Sequence, residues 1–187
     1  AHCAIITQWD FNSNPSDDST SSGTNVPSIG TGTALLIGDV SATFATGSTN
    51  DPAPSADDSG WNTRGYPDQS SSNKIAGAEF HVSTLGFSNI VVRWDHKVSG
   101  GASKYCRLQY STDGISFIDY PTPVSAQLVS ATASYFEAQT NSLEGFAEVH
   151  DNANFAFRIV SEFESTAAGG AEAYVTTAGA NYSTAGT

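Results

Sequence analysis

Methionine is absent from the 187 residues, and basic side chains are scarce: seven Lys and Arg stand against 19 Asp and Glu, a formal net charge of −12. Such an acidic balance repels nucleic-acid phosphates and anionic membrane surfaces while favouring solubility, so no nucleic-acid partner is expected. No apolar run approaches the roughly 18 residues that a membrane-crossing helix requires, so no membrane span is expected within the chain. No window of about 11 residues or more carries a 3.6-residue apolar period, which reduces helices to short, incidental pieces. The two cysteines, Cys3 and Cys106, show no zinc-site spacing with the histidines. No G-x-S-x-G elbow accompanies His2, His81, His96 or His150, so hydrolysis through an activated serine has no motif here. The missing methionine, together with the opening Ala1-His2-Cys3, gives the expectation of an N-terminus made by removal of a secretory signal. Any membrane anchor would then lie outside these residues.

What is present is polar and β-prone. Charged residues make up 14% of the chain, and Ser, Thr, Gly, Ala and Asn dominate, which suits strands joined by long polar loops. In "NIVVRWDHKV", Ile90, Val92, Trp94, His96 and Val98 share one face, and Val91, Arg93, Asp95 and Lys97 share the other, the mark of a sheet with one wet side. "KYCRLQYSTDGISFIDY" predicts a hairpin around Asp113-Gly114. "NFAFRIVSEFES" places Phe155, Phe157, Ile159, Ser161 and Phe163 opposite Arg158, Val160 and Glu162. The opening "AIITQWDFN" reads as a first strand, and "GTALLIGDVSATFAT" as two short strands split at Gly38-Asp39. Residues 12–27 and "GSTNDPAPSADDSG" are polar, proline-containing loops. About ten strands at this spacing predict a single all-β domain over residues 1–187: a two-sheet antiparallel β-sandwich, jelly-roll-like, with long polar loops.

Several groups of residues are candidates for chemistry. Oxygen-rich loops hold calcium, and Asp17-Asp18 and Asp57-Asp58 sit in such loops, although their spacing matches no calcium loop. Otherwise no cofactor is expected. Glu79, Asp95, Glu137, Glu148, Glu162 and Glu164 would supply the carboxylate pair of a glycosidase, but solvated faces account for acidic residues in this number. In the loop with Trp61, Asn62, Arg64, Tyr66, Asp68 and Gln69, aromatic faces would stack on sugar rings while amide and carboxylate groups bond hydroxyls. The alternative is that Trp61 and Tyr66 plug the end of the sandwich. In an oxidising compartment a Cys3–Cys106 disulfide would tie the first strand to a central one; the alternative is one buried and one exposed thiol. Asn181-Tyr182-Ser183 is the one N-x-S/T sequon, and Ser19, Thr20 and Ser21 lie in a hydroxyl cluster of the kind that carries O-glycans.

Residues 59–117, with "WNTRGYP", "AGAEFHVSTLGFSNIVVRWDHKVS" and "SKYCRLQYSTDGISF", followed by "NFAFRIVSEFE", resemble a secreted bacterial β-sandwich family of exosortase-sorted, PEP-CTERM-type extracellular proteins with carbohydrate-binding-module-like sandwiches. The resemblance extends over nearly the whole chain, from "IITQWDFNS" to "AYVTTAGANYSTAGT". It implies export to the cell surface or matrix and no catalytic site. It also implies a further strand after "YSTAGT", whose absence would leave the edge beside "IITQWDFN" open to a neighbouring subunit. Ile6, Thr7, Trp9, Tyr174 and Tyr182 are then candidates for an assembly edge. The expectation is a non-catalytic structural or adhesive protein of the extracellular matrix, self-associating by strand pairing. The alternative is a module binding an extracellular polysaccharide.

Overall fold

The computed structural model describes residues 4–50, 53–68, 71–121, 124–125, 135–167, 175 and 181–186. Within them lie the strands β1 (Thr33–Ile37), β2 (Ser41–Thr46), β3 (Ser59–Arg64), β4 (Gly77–His81), β5 (Val91–His96), β6 (Tyr105–Ser111), β7 (Ile118–Asp119), β8 (Val124–Ser125), β9 (Phe136–Ser142) and β10 (Ala156–Ser161). A four-residue helix, α1 (Glu164–Ala167), and a 3-10 turn at Ala147–Val149 are the helical pieces among the described residues. Six strands form one antiparallel sheet in the order β1-β4-β10-β6-β7, with β8 also on β6, while β2 pairs with β3 and β5 with β9.

The chain is an all-β sandwich. Ile90, Val92 and Leu143, on and beside the β5–β9 pair, pack against Leu108 and Tyr110 of β6 and against Phe157 and Ile159 of β10. Trp61 of β3 reaches Phe80 of β4 with ring centroids 6.5 Å apart. Both strand pairs therefore cover one face of the six-stranded sheet. In the six-stranded sheet β1 and β4, β4 and β10, and β10 and β6 are neighbours though distant in sequence, because the chain crosses between layers, whereas β2–β3 and β6–β7 pair in succession. Leu108, Leu143, Val149 and Val160 are wholly buried, each contributing on the order of 1.5–3 kcal/mol by leaving water.

The turn at Gly38 and Asp39 carries φ of 70° and 63°, a backbone geometry that glycine and aspartate enter at low cost. It does not close a hairpin. β1 pairs with β4 and β2 with β3, so this turn passes the chain from one layer to the other. The Asp113-Gly114 turn does join β6 to β7, with Gln109 opposite Asp119 and Tyr110 opposite Ile118. Strand β5 follows its alternation: Ile90, Val92 and Val98 are buried, and Val91, Arg93 and Lys97 are exposed.

One expectation requires correction. The opening segment is no regular strand: Gln8 makes an isolated antiparallel bridge to Ile29, and the extended backbone breaks at Phe11, whose φ is 63°. There the Phe11 ring stacks on Trp61 at 5.3 Å, a contact that local alternation does not contain. Strand β6 is covered on both sides; all seven of its residues are buried. Its second face holds Arg107 and Gln109 under neighbouring polar side chains, and Glu162, just past β10, is wholly buried beside Arg107.

Candidate functional site

The loop residues singled out for sugar stacking separate in space. Trp61 is half-buried, with Phe11 stacked on it and Phe80 at its edge. Asn62 points its amide to the Thr43 hydroxyl across the β2–β3 pair. Tyr66 shares a 2.7 Å hydrogen bond with the Thr63 hydroxyl, and burial pushes its phenol up from the ordinary value. Arg64 and Asp68 are exposed, and Gln69 lies outside the described residues. The Trp61 ring and the Tyr66 hydroxyl are thus engaged within the protein, in different contacts.

The candidate assembly residues are likewise engaged. Ile6 and Trp9 pack against the main core, Thr7 Oγ1 donates to Thr31 O at 3.0 Å, and Trp9 Nε1 donates to Asn25 O at 3.0 Å. Tyr182 packs beside Tyr105 and Phe163 and donates to Pro67 O at 2.7 Å, which pins the 65–68 loop; Tyr174 lies outside the described residues. Asn181 is exposed, as is Ser21. Ser19 Oγ and Ser21 Oγ are 3.0 Å apart, and Thr20 accepts from the Thr46 hydroxyl.

Cys106 is a buried, free thiol, and Cys3 lies outside the described residues. The sulfur sits 3.6 Å from His96 Nδ1. Burial pushes the thiol up to about 12 and the imidazole down to about 4, so near pH 7 both groups are neutral. A reactive thiolate–imidazolium pair does not form under those conditions. Asp17 and Asp57 adjoin, since Asp17 N donates to Asp57 Oδ1 at 3.0 Å, and that backbone bond holds the Asp57 carboxyl below its usual range. Among the described residues no cluster of three or more His, Cys, Asp or Glu side chains is placed to hold a metal ion. Asp95 and Glu137 meet at the Ser48 hydroxyl, 2.6 and 3.5 Å away, and each takes a further donor from the chain.

A different constellation occupies the sheet face turned away from the second layer. Leu35, Glu79, Arg158, Gln109 and Asp119 stand in register across β1, β4, β10, β6 and β7. The buried Glu79 carboxylate accepts from Arg158 Nε on one oxygen and from His81 Nε2, at 2.6 Å, on the other. The Arg158 guanidinium lies 3.5 Å over the Phe117 ring, an arrangement that fixes its plane. Gln109 Nε2 donates to Asp119 Oδ1 at 2.9 Å, Lys74 pairs with Asp119, and the buried Gln109 Oε1 has no partner.

At the β4 end of this row a groove of about 430 Å³ opens between residues 31–33, 81–83, 113–114 and 153–155, with His81 in its wall. Its volume falls within the range of small-molecule sites. The alternation in "AEFH" does put Glu79 and His81 on one side. Nothing in the sequence says that β10 pairs with β4 in the register that sets Arg158 opposite Glu79.

Fold and face together define a β-sandwich carrying an internally paired polar row and one open groove beside an oriented histidine. No family model matches the chain, and neither a curated protein nor a solved structure matches it.

Proposed function

We propose that this protein is a non-catalytic structural or adhesive module of an exported bacterial surface or matrix, joined to its neighbours by strand pairing. The observation that carries the reading is the free side of β1, the edge strand of the six-stranded sheet. Asn25 Nδ2 donates to Ala34 O at 3.3 Å, so Ala34 turns its backbone polar groups away from β4. Two-residue alternation turns those of Leu36 the same way. Among the described residues the outward N–H and C=O of Leu36 have no partner, and Leu35 beside it is 48% exposed. Such an edge is a template for another strand. The resemblance of residues 59–117 to sorted extracellular proteins supports the location, and the neutral Cys106–His96 pair supports the absence of nucleophilic chemistry. Leu36→Pro removes the outward N–H while proline remains tolerable on an edge. Sedimentation of the purified protein should shift from large species to monomer in that variant; undiminished large species would overturn the reading.

A second reading, a carbohydrate-binding module, is favoured by one observation, the groove beside His81. It does not lean on Trp61, whose ring stacks on Phe11, or on Tyr66, whose hydroxyl bonds Thr63. Binding of the protein to an immobilised panel of polysaccharides tests it.

A further inference from the structure

We infer that the groove beside His81 takes one neutral saccharide unit, whose hydroxyls donate to His81 Nδ1 and to the Asn154 carbonyl. The inference rests on the carbohydrate-binding reading and names its site and ligand class. It begins with the orientation of the imidazole. An ionised carboxylate only accepts, so the 2.6 Å contact with Glu79 Oε1 places the ring proton on Nε2. In the neutral ring Nδ1 is then left as an acceptor. Arg158 holds the other oxygen of Glu79, which fixes the carboxylate and through it the ring.

The Nδ1–Cε1 edge faces Gly114. A Cβ at that residue would lie 3.6 Å from Nδ1 and 3.4 Å from Asn154 O, in ordinary contact with both, so the two acceptors converge on the position beside Gly114. Gly114 has φ of 74°, a conformation other residues enter at a cost, so the turn and the point of convergence belong to the same residue.

The remaining lining selects against anions. Thr31, Thr33, Ser83 and Asn154 offer hydroxyls and an amide, and neither Lys nor Arg lines the groove. The one carboxylate there, Asp113, turns one oxygen to its own turn: Oδ1 accepts from Ser116 N, Ile115 N and Ser111 Oγ at 2.7–2.8 Å. Those backbone donors hold it well below the usual carboxylate range. It remains ionised at neutral pH and disfavours an anionic ligand. Two convergent acceptors, neutral donors around them and a resident negative charge suit a polyhydroxylated neutral ring better than a uronate, sulfate or phosphate.

The test is a titration of the 15N-labelled protein followed by NMR, using glucose, galactose, mannose and their disaccharides, with glucuronate and sulfate as charged probes. The expected result is saturable shifts at Gly114, Asn154 and the His81 ring with at least one neutral sugar, and none with the charged probes. Thr31 is exposed, so Thr31→Trp fills the groove from its rim without touching the core, and should weaken binding at least tenfold. His81→Leu should do the same, with thermal unfolding checking that it folds. Saturable shifts confined to residues 61–68 would overturn the groove while preserving the carbohydrate-binding reading. A flat response to every sugar, or binding undiminished in Thr31→Trp, overturns the inference, and the flat response removes the broader reading as well.

Discussion

Arg107 on β6 grips Glu162 with two parallel hydrogen bonds, Nε to Oε2 at 2.8 Å and Nη2 to Oε1 at 2.7 Å, with both residues buried. The third guanidinium nitrogen donates to Tyr120 O at 2.8 Å. The pair ties the central strand to the segment leaving β10 and to the end of the β6–β7 hairpin.

Removing one partner would strand the other charge in the interior. Glu162→Ala or Arg107→Ala should each cost about 3–5 kcal/mol of unfolding free energy, whereas replacing both by apolar residues of similar volume should be far less damaging. Urea titration of the single and double variants measures this. Additive losses in the double variant would contradict the pairing.

His96 makes stability depend on pH in a defined window. Its folded value is about 4 against an ordinary 6.5, because burial disfavours the charged ring. Between those values the unfolded chain binds a proton that the folded chain does not. Stability therefore rises with pH through the window and is lost as pH falls from about 6.5 to about 4, by at most about 3 kcal/mol. His96→Phe should flatten the change in urea midpoint between pH 7 and pH 4.5; an unchanged slope would contradict the burial argument.

The Cys106 thiol, pushed up to about 12 by burial and then by the nearby Glu162 charge, should resist alkylation at pH 8 in the native protein. In denaturant, without reductant, it should react within minutes. Mass spectrometry reads the modified residue. A requirement for reductant would reveal a bridge to Cys3 instead of a free thiol.

Trp61 lies between Phe11 and Phe80, so Trp61→Ala removes a packed ring and should cost about 3 kcal/mol or more. Unfolding free energy checks it. A variant as stable as the parent would mean that the ring is not held there.

Local alternation made much of this fold legible. Period-2 patterns located β5 and β10, and Asp113-Gly114 announced the hairpin of β6 and β7, because both signals act over a few residues. The turn at Gly38-Asp39 was equally visible, but its role as a crossing between layers depends on which strands β1 and β2 later meet. "IITQWDFN" alternates like a strand, yet Phe11 turns aside to stack on Trp61, some 50 residues away. The row of Glu79, Arg158, Gln109 and Asp119 was hidden for a related reason. Each member is an ordinary outward-facing polar residue in its own strand, and only the register across β4, β10, β6 and β7 assembles them. The groove likewise depends on a tertiary meeting, that of Gly114 with His81 and Asn154.

The most direct measurement is electron microscopy of the full-length, untagged protein purified from its native source, beside the same protein carrying Leu36→Pro. Pairing through the free side of β1 predicts regular filaments or sheets from the parent and dispersed, folded monomers from the variant. Dispersed monomers from both, or identical polymers from both, would contradict it.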